Sequence, residues 1–197
     1  LVIGALCSDA TLNPDGSCAG DPTETAIVLA AQEQGYDKNQ LEQEFPRVAE
    51  LPFDSTRKRM TTVHPKPGGG YRIMVKGAAD VLLSRSTHIL RQGVQPLDEA
   101  ARTQVEDANA QMANQALRVL GLAYKEVSRL PRVSDFGELE KNLTFIGLVG
   151  MIDPPRAEVK AAVQACHHAG IRPVMITGDH KATAVAIAQE LGFWQNG

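Results

Sequence analysis

Thr177 and Asp179 stand in the run Met175-Ile176-Thr177-Gly178-Asp179, where a hydroxyl and a carboxylate flank a glycine. The apolar run before them, residues 171–176, reads as a short strand, and the pattern after them reads as a helix from near Lys181 to Leu191. A turn between the carboxyl end of a strand and a helix is where open α/β sheets place phosphate chemistry. The helix amino end there offers free N–H groups and a positive dipole. The chemistry expected of Thr177, Gly178 and Asp179 is therefore the holding of a phosphoryl group. Gly and Asp are also the commonest turn residues, so the meaning of this tripeptide depends on what precedes it.

Four earlier constellations carry compatible chemistry. In Gly20-Asp21-Pro22-Thr23-Glu24, Asp21 as N-cap, Pro22 at the first helical position and Glu24 two residues on form a capping arrangement. The same Thr23 and Glu24 could stand at the mouth of a nucleotide pocket, Glu24 accepting a hydrogen bond from an adenine amino group; both roles can hold at once. Phe53 precedes the basic run Arg57-Lys58-Arg59. It is either a core residue beside a solvated strand entry or a platform for a base, with Arg57, Lys58 or Arg59 drawing in a polyphosphate. In Val75-Lys76-Gly77-Ala78 a strand ends and a helix follows. Gly77 permits a tight turn and close approach of a ligand, and Lys76 sits where a phosphate or purine would meet the helix amino end; an ordinary strand-to-helix turn has the same pattern. Arg118 is a lone charge in an apolar run, facing outward or reaching into a pocket.

The elements that must position these residues fall into two styles. Met60 to His64 and Tyr71 to Lys76 read as strands joined by Pro65-Lys66-Pro67-Gly68-Gly69-Gly70, a hairpin loop that forces antiparallel pairing. Helices are expected at Thr23 to Gln34, Ala78 to Ser84 and Leu97 to Ala116, with strands at Leu117 to Tyr124 and Thr144 to Met151. This part reads as α+β, an antiparallel sheet with flanking helices. From Asp153 the pattern becomes helix, strand, Thr-Gly-Asp turn and helix. Val159, Ala162, Val163 and Cys166 follow helical spacing and Gly170 closes that helix. The tail thus reads as a partial α/β segment, and Asp153-Pro154-Pro155-Arg156 marks the boundary between residues 1–152 and 153–197.

Composition narrows the function classes. The 197 residues carry a net charge of -3 and show no basic stripe, which argues against nucleic acid as a partner. No apolar run reaches the roughly 18 residues a membrane span needs, so no membrane contact is expected of this segment itself. Three cysteines without C-x-x-C spacing disfavour a disulfide framework and a zinc site, and a reducing cytosolic setting fits best. Leu1 to Leu6 is apolar but has no charged lead or cleavage site, so it does not read as a signal peptide. The segment is expected to lie inside a longer protein.

Taken in order, these motifs resemble the P-type cation-transporting ATPases, and within them the calcium-pump-like branch. The resemblance runs through Leu6-Cys7-Ser8-Asp9, Gly20 to Glu24, Phe53 to Met60, Lys76-Gly77-Ala78, Leu117-Arg118, Gly147 to Arg156 and Met175 to Asp179, nearly the whole chain. It implies that residues 1–152 are most of a nucleotide-binding domain. Residues 153–197 would be part of a phosphorylation domain, which is haloacid-dehalogenase-like. By the resemblance, Phe53 stacks on the adenine of ATP, Glu24 and Lys58 contact base and phosphates, and Lys76 lines the adenine pocket. Asp21, Thr23, Arg57, Gly77 and Ala78 belong to the same binding motifs, and Arg118 reaches the polyphosphate. Asp153 would lie at the hinge near the phosphorylation site. Thr177 would bond a phosphoryl oxygen, beside Gly178, and Asp179 would orient the nucleotide and its Mg2+. The implied setting is the cytoplasmic face of a membrane, with the remaining phosphorylation, actuator and transmembrane domains as partners and Ca2+ as the cargo. Another cation, Na+/K+ or Mg2+, or a non-catalytic nucleotide-binding module, is the alternative.

The family's reaction passes a phosphoryl group to the aspartate of an Asp-Lys-Thr-Gly-Thr motif, and neither that motif nor a Gly-Asp-Gly is present in the sequence. An Asp-x-Asp, which a free-standing phosphatase of the haloacid-dehalogenase type would need, is also absent. The expectation is a chain that binds ATP at about 0.1 to 1 mM without turning it over.

Overall fold

The structure is a computed structural model, described for residues 1–115, 117–130, 136–152, 156–177 and 181–193. The chain divides into two units, Leu1–Asp107 with Val119–Val149, and Ala108–Arg118 with Gly150–Gly197. The elements in chain order are α1 (Val2–Leu6), β1 (Thr11–Leu12), β2 (Cys18–Ala19), α2 (Pro22–Glu33), α3 (Lys38–Glu44), β3 (Ala49–Asp54), β4 (Arg59–Pro65), β5 (Tyr71–Ala78) and α4 (Ala79–Ser84). There follow β6 (Ser86–Leu90), β7 (Val94–Pro96), α5 (Glu99–Asn114), β8 (Arg118–Val127), α6 (Phe136–Leu139), β9 (Leu143–Met151), α7 (Ala157–His168) and α8 (Lys181–Leu191).

The first unit is built on a seven-stranded sheet in the order β3-β4-β5-β8-β9-β6-β7. Its centre is the expected hairpin: β4 and β5 pair antiparallel from Arg59 opposite Gly77 to Pro65 opposite Tyr71, around glycines 68–70 that all adopt positive φ. β5 pairs antiparallel with β8, and β3 with β4. The sheet is mixed, because β6 runs parallel to β9. The α+β class is as the sequence suggests.

Alternation along β4 and β5 divides two cores between the faces of the sheet. Val63, Ile73 and Val75 point to one face and pack with Leu82, Leu143 and Phe145. Met60 and Met74 point to the other, where Ala5, Leu6, Cys7, Ala31 and Leu41 bring in α1, α2 and α3. α2 begins where the sequence predicts, with the Asp21 carboxylate accepting from the Thr23 N–H at 2.8 Å and Pro22 in the first turn. It lays Ile27, Val28 and Ala31 into the core.

In the second unit α7 ends as expected at Gly170, whose φ of 71° lets the Gly170 and Ile171 N–H groups turn back to the carbonyls of His167 and Cys166. α8 opens at Lys181. The expected strand over residues 171–176 is corrected: residues 171–177 form no strand. Ile171, Val174 and Ile176 are exposed, the last at 93%. An apolar run becomes a strand only when a neighbour accepts its backbone hydrogen bonds, and among the described residues none pairs with it.

Candidate functional site

Lys76 lies on β5 opposite Met60 of β4 and Leu122 of β8, on the face covered by α1 to α3. Glu24, in the first turn of α2, meets it there. Lys76 Nζ donates to Glu24 Oε1 at 2.7 Å, and the two side chains are only 6% and 15% exposed. The second carboxylate oxygen accepts from the Asp9 N–H at 2.7 Å and the Ala10 N–H at 3.2 Å. Such a withdrawn lysine is tolerable because the carboxylate compensates it. The segment that offers those amides is itself fixed. Lys38 Nζ donates to the Ser8 carbonyl at 3.0 Å, and Arg47 donates to the carbonyls of Ser8 and Leu6 while pairing with Asp9 and Glu50. Beneath this sits Cys7, fully buried, its thiol against the carbonyls of Met60 and Met74. Burial raises its pKa and outweighs the opposing pull of Lys76, so the thiol stays neutral.

Arg57 and Lys58 close the turn between β3 and β4, and Arg59 opens β4. The Asp54 carboxylate accepts from the Arg57 N–H at 2.7 Å, the Asp54 carbonyl accepts from the Lys58 N–H, and Lys58 takes a left-handed φ of 55°. Lys58 is exposed. The pairing of β3 with β4 slips by one residue between Leu51, opposite Thr61, and Asp54, opposite Arg59. That slip is a β-bulge, and its effect follows from the period of two: one extra residue moves what comes after it to the other face. Counted back from Asp54 opposite Arg59, Phe53 takes the register position of Met60, whose partner across the sheet is Lys76. Phe53 is 64% exposed.

Arg57 is engaged on the opposite face. Its Nη1 donates to Glu140 Oε1 at 2.5 Å and its Nη2 to the Pro52 carbonyl at 2.7 Å. Glu140, 1% exposed, also accepts from Arg59 Nε at 2.6 Å and from the Thr61 hydroxyl at 2.7 Å. Arg59 in turn donates to the Arg57 carbonyl at 2.7 Å. Sequence reasoning missed Glu140, which stands in the ordinary-looking run Glu138-Leu139-Glu140-Lys141. The available signal was the need of three consecutive cations for a counter-charge.

Gly77 has a structural use. A Cβ there would lie 2.5 Å from the Lys58 carbonyl and 2.6 Å from the Arg59 Cβ, so the space it leaves open is filled by the turn, and the Ala78 N–H donates to the same Lys58 carbonyl at 3.0 Å. Ala78 is the N-cap of α4. The structure thus gathers Glu24, Phe53, Lys58, Lys76, Gly77 and Ala78, together with the Asp21–Thr23 cap, around one end of the sheet in the first unit. Arg118 opens β8, exposed, in the second unit, and the exposed Thr177 belongs to that unit also. Asp153, Gly178 and Asp179 lie outside the described residues.

The family model for the P-type ATPase cytoplasmic domain N matches residues 1–158. Among known proteins, the chain is 52% identical over 188 residues to calcium-transporting ATPase 1 of Bacillus cereus, covering 95% of this chain and 21% of that protein. It is 42% identical over 200 residues to a cation-transporting ATPase of Synechocystis, covering 100% and 22%. With a calcium-transporting ATPase of Bacillus subtilis it shares 40% over 195 residues, covering 97% and 22%. The chain spans about a fifth of the length of these relatives.

Proposed function

The chain belongs to the P-type cation ATPases, and from that premise we propose that it binds ATP as the cytoplasmic nucleotide-binding part of an ion pump. The adenine stacks on Phe53, with Lys76 and Glu24 lining the base side and Lys58 facing the phosphates. The observation that supports this most is the β3 bulge, which brings an exposed phenyl ring onto the face of the Lys76–Glu24 pair and beside a cationic turn. An open aromatic face next to a positive charge fits a purine nucleotide.

Residues 1–152 act as the nucleotide-binding domain and 153–197 as part of the phosphorylation domain, where Thr177, Gly178, Asp179 and Asp153 address the phosphoryl group. Mg2+, when bound, neutralises polyphosphate charge. The residue assigned to it, Asp179, lies outside the described residues, and among those described no group of three or more His, Cys, Asp and Glu side chains could hold the ion. The whole pump couples ATP hydrolysis through an aspartyl-phosphate to ion transport at the cytoplasmic face of a membrane. The ion is Ca2+, the cargo named for the relatives of Bacillus cereus and Bacillus subtilis. Among the described residues no helix is long and apolar enough to cross a membrane. The rest of the phosphorylation domain, the actuator and the transmembrane domains complete the machine.

Isothermal titration with ATP tests the binding reading. Wild type is expected to bind at about 0.1 to 1 mM, and Phe53→Ala to weaken that at least ~fivefold, as lost base–aromatic stacking does. No heat at millimolar ATP, or an unchanged Phe53→Ala, overturns the reading. Phosphate release over many turnovers by this chain alone would overturn its assignment as a binding part without the acceptor aspartate. Uptake by vesicles holding the whole pump, with Ca2+ against Na+, K+ and Mg2+, decides the cargo.

A further inference from the structure

We propose that Glu140 is the positioning residue of the nucleotide site, setting the pose of Phe53 and Lys58 from the far face of the sheet; the inference rests on the ATP-binding reading above. Neither residue touches Glu140. The connection runs through Arg57 and Arg59.

A bulge on an edge strand has lost regular ladder hydrogen bonds and can relax back by one residue unless something else holds it. β3 is such a strand, with β4 as its one neighbour in the sheet among the described residues. Pro52, inside the bulge, has no N–H to give, so its carbonyl is the backbone group available there for anchorage. That carbonyl accepts from Arg57 Nη2 at 2.7 Å, and Arg57 Nη1 is held by Glu140 at 2.5 Å. Glu140 therefore ties the carbonyl beside Phe53 into the buried side of the sheet. The second arm runs to the turn. Arg59, held by Glu140, donates to the Arg57 carbonyl at 2.7 Å, next to Lys58. The opening at Gly77 seats the Lys58 carbonyl against β5. One carboxylate thus fixes both the platform for the base and the cation for the phosphates.

Electrostatics agrees with this division of labour. Glu140 and Asp54 together offset two of the three charges of Arg57, Lys58 and Arg59, which leaves the turn one net positive charge with Lys58 as its exposed cation. The turn remains attractive to a polyphosphate while the buried Arg59 is compensated.

The test is a double-mutant cycle on the 197-residue chain, titrating ATP into wild type, Glu140→Gln, Phe53→Ala and the double variant, with thermal unfolding of each. Glu140→Gln is expected to weaken ATP about fivefold, and to weaken it by less than about twofold further when Phe53 is already alanine, the non-additivity of residues acting through one another. A merely structural role would weaken both backgrounds alike, so equal losses overturn the proposal, as does unchanged affinity in a folded Glu140→Gln. Should Glu140→Gln not fold, Arg57→Ala keeps the buried Arg59–Glu140 pair and cuts only the link to Pro52. It is expected to weaken adenosine, which has no phosphate to sense the lost charge, at least about threefold, and unchanged adenosine affinity overturns the proposal. If wild type binds no ATP, the nucleotide reading itself fails; if wild type and Phe53→Ala behave as expected while Glu140→Gln matches wild type, only the assignment of Glu140 fails.

Discussion

At the scale of single residues, the site is a set of charges whose partners are already in place. Lys76 is withdrawn from solvent and Glu24 answers it, so cutting one of them leaves a charge in a poorly hydrated place. Lys76→Met is expected to cost about 2 to 4 kcal/mol in urea unfolding, and adding Glu24→Gln to it should restore part of that loss. An additive double variant would show that the pair does not act as a pair. The Asp21–Pro22 cap was legible in the sequence because capping is a matter of neighbours. The Lys76–Glu24 pair was not, since its members lie 52 residues apart and only the fold brings α2 over β5. Glu140 was invisible for the same reason, its arginine partners being 81 and 83 residues away.

At the scale of elements, the close approach of the β3–β4 turn to β5 depends on a glycine with an ordinary negative-φ strand role and no side chain. Gly77→Ala puts a methyl group against the Lys58 carbonyl, a backbone atom that cannot swing aside. The expected outcome is a loss of about 1 to 3 kcal/mol by thermal or urea unfolding, with weaker ATP binding because Lys58 moves. The β4–β5 hairpin was readable from alternation and its Pro and Gly loop. β3 was not, because Leu51-Pro52-Phe53 breaks the alternation at the bulge and a proline argues against a strand. Residues 171–176 failed in the opposite sense: the composition of a strand is present, but backbone pairing is a property of two segments and the apolar run supplies one.

At the scale of the whole molecule, the sheet of the first unit carries a hydrophobic core on each face, and the face under α1 to α3 contains a titrating group. His64 is buried, with Nδ1 donating to the Phe45 carbonyl at 2.8 Å and Nε2 accepting from the Thr62 hydroxyl at 2.9 Å. Burial pushes its pKa below the ordinary histidine value, against the opposing effect of the Phe45 carbonyl. The unfolded chain therefore binds a proton that the folded chain refuses. Stability from this residue is full above about pH 6.5 and is lost as pH falls from there through the folded pKa. Urea unfolding from pH 7.5 downward should show that decline, and His64→Gln should flatten it; an equal slope in the variant would place the titration elsewhere. The bulge in β3 has a consequence for the molecule in solution as well. β3 borders the sheet, and a straight border strand is a template on which a second chain can add itself. By stepping out of register at Pro52, β3 denies an incoming strand a continuous row of partners. The irregularity that turns a phenyl ring toward a ligand thus also guards the sheet against its own copies, and a variant that straightens it should lose solubility together with nucleotide affinity.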